Sequence, residues 1–316
     1  MNSSNVTSEF CPIKPQHISI PVLYCLVFLV GFLLNVFSLW VFTCRTAVWK
    51  SGTVLQFHLA LCDVIICPMA PFMAVYYHTS NWLFGKALCR LKIALIISHI
   101  SSSILFLTSI SIHRYVAVVR FNRDSYMNQK DFVQKLCIGI WVVALVKGTA
   151  LAAIADTSTV NNYTLCLSVH QGQYIDIYLM VNFIIFIPAL LLAFTISAIC
   201  YSLVVRSMSR LDTSHDSGRA IKSKSRKMVA ICLAIFVICF TPMNVVRSVG
   251  VVVKKLFPHE CSLLSGVETA YYMTWILTGA NCCLDPIIYC FSSKKFSKNF
   301  LISHTSMRLQ TACDSS

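Results

Sequence analysis

The sequence predicts an all-α membrane protein: a seven-transmembrane helix bundle followed by a short amphipathic helix. Three observations lead there. Of 316 residues, 57% are apolar and only 12% charged, with a mean hydropathy of +0.71, which is more apolar surface than a soluble domain of this size could cover. Seven apolar runs are long enough to cross a bilayer: about Ile20–Cys44, Val54–Tyr77, Leu88–Val119, Val133–Ile154, Tyr174–Val205, Met228–Val253 and Leu263–Phe291. In lipid a segment of this length must satisfy its own backbone, so each reads as a helix. The third observation is the placement of basic residues. Of 26 Lys and Arg, 18 follow the first, third, fifth and seventh runs, which makes that side cytoplasmic and places the amino terminus outside. The net charge of +14 is then a signal of topology and of affinity for anionic inner-leaflet lipid, and it implies no nucleic acid.

These features divide the chain into an extracellular glycosylated segment (1–19), the bundle (20–291), and an amphipathic helix with a cytoplasmic tail (292–316). The sequons Asn2-Ser3-Ser4, Asn5-Val6-Thr7 and Asn162-Tyr163-Thr164 all fall on the outer side, making Asn2, Asn5 and Asn162 glycosylation candidates. The first run serves as an uncleaved signal anchor, since no basic segment with a short apolar core precedes it. Most of the 16 cysteines lie inside the runs and read as small apolar residues. Four lie at the outer face, Cys11, Cys89, Cys166 and Cys261; an oxidising exterior permits two bridges there, in any of three pairings.

In the first run, Asn35 is a buried amide that needs a partner. The second offers Asp63, a carboxylate that is costly inside a membrane unless paired, protonated or bound to a cation, and its Pro68 and Pro71 should kink the helix. The third rises roughly 37 Å from Cys89 to Arg114 at about 1.5 Å per residue. Its serines and threonines suit close contact with neighbouring helices, and it closes on Ile112-His113-Arg114-Tyr115. The fourth holds Trp141 and Lys147; that lysine either snorkels outward or faces the bundle. The fifth has Pro188. The sixth reads Phe236-Val237-Ile238-Cys239-Phe240-Thr241-Pro242, a proline bend with an aromatic lever two residues before it. The seventh ends in Asn281-Cys282-Cys283-Leu284-Asp285-Pro286-Ile287-Ile288-Tyr289, and Phe291–Phe300 then alternates apolar and basic residues, as a helix lying on the inner leaflet would.

Together these motifs resemble the rhodopsin-like G-protein-coupled receptors over nearly the whole chain. That family has a cysteine and an acid-Arg-Tyr triplet at the two ends of its third helix, a Phe-X-X-Cys-Trp-X-Pro sixth and an Asn-Pro-X-X-Tyr seventh. This sequence departs from the pattern with His113 for the acid, Phe240 for the tryptophan, Asp285 for the asparagine, and Ile196 where the fifth helix often has tyrosine. The segments around Asn35 and Asn281–Ser293 look most like the branch holding purinergic, hydroxycarboxylic-acid and oxoeicosanoid receptors. The resemblance implies Cys89–Cys166 and Cys11–Cys261 bridges. It also implies G-protein coupling and switching through His113, Arg114, Tyr115, Phe236, Phe240, Pro242, Asp285, Pro286 and Tyr289, with a G protein of the inhibitory class and arrestin as partners.

Two candidate sites follow. Asn35, Asp63, Ser103, Asn281 and Asp285 could offer oxygen ligands to sodium as an allosteric modulator, or the two acids could share a proton. Toward the outer face, Arg247, with Lys92, Arg90, His99 and Asn244, favours a carboxylate or phosphate, and Tyr271, Tyr272 and Trp275 supply an apolar wall. The alternative is that these bases snorkel or pair with Glu268. The expected ligand is therefore a small anion: a carboxylate metabolite, a lipid acid or a nucleotide. No cofactor and no chemistry are implied. An organic-anion transporter should show internal repeats, and an intramembrane metal hydrolase should show converging ligands. No repeat is evident, and His58, His99 and His113 sit at three depths, so no metal shared among them is expected.

Overall fold

The computed structural model describes residues 11–13, 15–120, 125–160, 162–166, 176, 180–209 and 216–292. The sequons at Asn2 and Asn5, the expected inner-leaflet helix and the tail lie outside these residues. Seven helices cross the described chain: α1 (Ser19–Arg45), α2 (Ser51–Thr79), α3 (Gly85–Val119), α4 (Lys130–Ile154), α5 (Asn182–Ser207), α6 (Ser223–Leu256) and α7 (Cys261–Ser292). The first six are long and apolar enough to span a membrane; α7 has the length but carries Glu268, Asp285 and Pro286.

The expected enclosure of the serine-rich span holds. The most apolar stretch of α3 is 83% buried, against 28% for α1, α4 and α5, and α3 packs on α2, α4, α5 and α6. Small residues set the closest approaches. A Cβ at Gly148 would lie 2.2 Å from the Ser98 hydroxyl and 2.5 Å from the Ala94 carbonyl, and one at Gly31 would lie 2.8 Å from Cys282. Thus α4 seats directly on α3, and α1 on α7.

Two prolines accompany helix interruptions, whereas Pro286 lies inside the unbroken α7. Pro68 lies in a 3-10 turn, Cys67–Met69, within α2. Before Pro242, α6 widens into a π-helical turn over Phe236–Phe240. Carbonyls there accept from side chains as well: Thr241 Oγ1 donates to Phe236 (2.9 Å), Asn244 Nδ2 to Phe240 (2.8 Å), and Thr278 Oγ1 from α7 to Cys239 (3.0 Å). Side-chain donors of this kind let a broken helix persist in lipid.

On the other side of α4, β1 (Thr157–Val160) and β2 (Tyr163–Cys166) form an antiparallel hairpin. Asn162, exposed at its turn, takes a left-handed φ of 67°, a conformation asparagine tolerates. The Cys89–Cys166 bridge, with Cα atoms 5.9 Å apart, ties this hairpin to α3, and Cys11–Cys261, 5.1 Å apart, ties the amino-terminal segment to α7.

Candidate functional site

Below the hairpin, α4, α5 and α6 bring two cations to one aromatic ring. Arg247 on α6 lays its guanidinium carbon 4.2 Å from the centroid of Phe186, and Lys147 on α4 places its ammonium 4.2 Å from the same centroid. Lysine at this depth therefore faces the bundle. Two asparagines hold the arginine: Nε donates to Asn182 Oδ1 (2.8 Å) and an Nη to Asn244 Oδ1 (2.6 Å), while Asn182 Nδ2 reaches Ser248 (2.7 Å). Among the described residues neither cation makes an ion pair. A guanidinium fixed along one edge keeps its remaining donors for something else. Tyr271 stands close enough to Arg247 to interact electrostatically, and its ring packs edge-on to Trp275 at 6.0 Å.

The other bases expected here are engaged elsewhere. Lys92 is buried, donates to the Cys166 carbonyl (2.9 Å), and sits 5.0 and 4.9 Å from the rings of Tyr76 and Trp82, so it supports the hairpin. Arg90 donates to the Ala155 carbonyl at the end of α4 (3.2 Å). Tyr272 donates its hydroxyl to Glu268 (2.9 Å) and packs at a tilt against Tyr77. Glu268 is thus hydrogen-bonded within α7, and no ion pair among the described residues joins it to Arg247.

His99 lies deeper, in the polar interior. Its Nε2 is 3.0 Å from Asp63 Oδ1, and Cys282 Sγ is 3.5 Å from the same oxygen and 3.7 Å from the imidazole nitrogen. Asp285 is close enough to Asp63 to share a hydrogen bond, and it accepts one from Asn281 Nδ2 (3.0 Å). Asn35 spends its amide nitrogen on the carbonyls of Gly31 (2.9 Å) and Cys282 (2.7 Å). Ser103 meets Cys62 Sγ at 3.8 Å. The oxygens expected to form one cage thus share their pocket with a nitrogen and a sulfur.

At the far end of α3, His113 is buried and its Nε2 lies 3.0 Å from the Ser51 hydroxyl on α2. Its imidazole therefore joins two helices rather than bonding the neighbouring arginine. Arg114 extends between Gly52 on α2 and Cys232 on α6. Phe240 and Phe236 are buried one turn apart, and Tyr289 packs edge-on to Phe42 at 5.4 Å. Trp141 donates to His58 (3.2 Å), so the three intramembrane histidines have three separate sets of neighbours.

The profile of the 7 transmembrane receptor (rhodopsin family) matches residues 9–289. Similar proteins include a purinoceptor, number 4 of its series, from Rattus norvegicus, 31% identical over 285 residues (89% of this chain, 78% of that one). The lysophosphatidic acid receptor 4 of Mus musculus is 29% identical over 289 residues (91% and 78%). The 2-oxoglutarate receptor 1 of Rattus norvegicus is 27% identical over 297 residues (94% and 86%).

Proposed function

The chain belongs to the rhodopsin family of seven-transmembrane receptors, and from that premise we propose that a small anion held by Arg247 and Lys147 switches it. It is a multi-pass membrane receptor and not an enzyme, as its family and relatives are. The observation that carries the ligand reading is a pair of cations on one half-buried ring, with no ion pair to either among the described residues. Two unneutralised charges in a partly dehydrated cleft repel each other, and a carboxylate or phosphate between them relieves that repulsion. Among the similar receptors, those named for lysophosphatidic acid and 2-oxoglutarate point to anionic groups of the same kind.

The ligand acts through the difference in its affinity for two arrangements of the bundle. Arg247 lies five residues beyond Pro242 and joins α6 to α5 through Asn182, so an anion drawn between α4 and α6 pulls on the segment above the bend. The opposite end of α6 swings outward, and the crevice beside Arg114 admits the carboxyl-terminal helix of a G protein of the inhibitory class. Arrestin then engages the phosphorylated tail. The disulfide-bearing end faces outside the cell, a reading that the basic-residue count supports.

The test is a G-protein dissociation assay in cells presented separately with nucleoside polyphosphates, lysophosphatidic acid, 2-oxoglutarate and a set of cationic amines. A response to an anionic group that falls with Arg247→Ala is expected. A response confined to the amines would overturn the reading.

A further inference from the structure

We propose that Asp63, His99 and Cys282 form a zinc site at the centre of the bundle. Three helices deliver a carboxylate, an imidazole and a thiol to one buried point, their ligand atoms all within 4.8 Å of one another. The spacing is compatible with one shared ion. Around a tetrahedral zinc with bonds of about 2.0 Å to oxygen and nitrogen and about 2.3 Å to sulfur, donor atoms are separated by about 3.3 Å for the nitrogen and oxygen, and about 3.5 Å for each pair that includes sulfur. The observed separations are 3.0, 3.5 and 3.7 Å. A second observation concerns charge: Asp63 is fully buried and the equally buried Asp285 stands beside it, two carboxylates that are costly unless they are paired, protonated or bound to a cation.

The donor set selects the metal. Sodium takes oxygen ligands, whereas two of these three donors are nitrogen and sulfur, which suit zinc. A carboxylate and a thiolate together offset the charge of a dication. Cys67, whose thiol donates to the Asp63 carbonyl (3.0 Å), lies against Cys282. The metal joins α2, α3 and α7 and so resists their relative movement. That braking role rests on the receptor reading; the binding does not.

The test uses the purified full chain in lipid nanodiscs, loaded with zinc chloride and freed of excess metal by gel filtration. About one zinc per chain is expected in wild type and in Cys283→Ser, whose sulfur instead faces the Val27 carbonyl (3.3 Å). Zinc should be lost in His99→Ala and in the nearly isosteric Cys282→Ser. Cobalt substituted in wild type should show a thiolate charge-transfer band that Cys282→Ser lacks, a readout independent of signalling. Zinc should also raise the unfolding temperature of wild type by a few degrees and leave that of Cys282→Ser unmoved. The proposal is overturned if wild type retains no zinc, if both ligand variants retain it as wild type does, or if sodium stabilises the chain and zinc does not.

Discussion

Truncating Arg247 separates the anchor reading from a structural one. In Arg247→Ala the ligand loses a charge-assisted contact worth about 1.5–3 kcal/mol. At 1.36 kcal/mol per decade, that raises the half-maximal agonist concentration about 10- to 150-fold. The same truncation leaves Asn182 Oδ1 and Asn244 Oδ1 without the donors now at 2.8 and 2.6 Å, which costs stability of about 1–3 kcal/mol per acceptor if no water replaces them. Potency must therefore be compared at matched surface expression. Two further variants sharpen the reading. Arg247→Lys keeps the charge but not the planar fork, so its potency should fall between the other two. Lys147→Ala shares the Phe186 ring, so its effect should change in the Arg247→Ala background, as coupled sites do. The assay is G-protein dissociation against concentration of an agonist found in the anion panel. An Arg247→Ala receptor with wild-type potency at equal expression would refute the reasoning.

Three other changes have definite expected outcomes. His113→Asp places a carboxylate beside Arg114, where the imidazole now bonds Ser51 at 3.0 Å; if the new pair holds the resting state by about 0.7–1.4 kcal/mol, ligand-free nucleotide exchange falls about three- to tenfold, and an unchanged or higher basal rate counts against it. Gly148→Ala drives a methyl toward atoms 2.2 and 2.5 Å away, whereas Gly139→Ala on the same helix meets nothing within 4 Å; overpacking of about 1–3 kcal/mol should depress surface expression in the first variant and spare the second, and equal expression would contradict the close seating of α4 on α3. Asn162→Gln should shift the chain on a gel by one glycan, since the sequon stands exposed at a hairpin turn; an unshifted band from surface-expressed receptor would remove the glycosylation assignment.

How much of this was legible in the sequence depends on the range of the interaction. Composition and run length act along one segment, so the spans and the helix interruptions at Pro68 and before Pro242 could be read directly. Arg247 could also be placed, because five residues past a proline fixes both height and face on one helix. Its partners could not. Nothing in the order of residues says that Asn182, Phe186 and Lys147, on two other helices, meet it. The same gap misplaced Lys92: it shares a level with the outer cleft, but its rotation about α3 sends it to the Cys166 carbonyl and the rings of Tyr76 and Trp82.

His99 shows why rotation matters more than height in such a bundle. Ten residues after Cys89 and fifteen before Arg114, it could be assigned to the ligand cleft by level alone. Level, however, leaves the direction of the side chain open, and successive helical residues point about 100° apart. One step along α3, Ile100, or one more toward Ser101, faces different neighbours. The structure turns His99 toward α2, where Asp63 waits, and brings Cys282 from α7 to the same oxygen. In the sequence that cysteine was one of many small apolar residues within spans, and the histidine was one of three at unrelated depths. Only the crossing of α2, α3 and α7 makes them a set. A buried carboxylate whose neighbours supply nitrogen and sulfur differs from one ringed by oxygens, so replacing His99 and Cys282 with oxygen donors, as in His99→Asn with Cys282→Ser, should shift cation preference from zinc toward sodium.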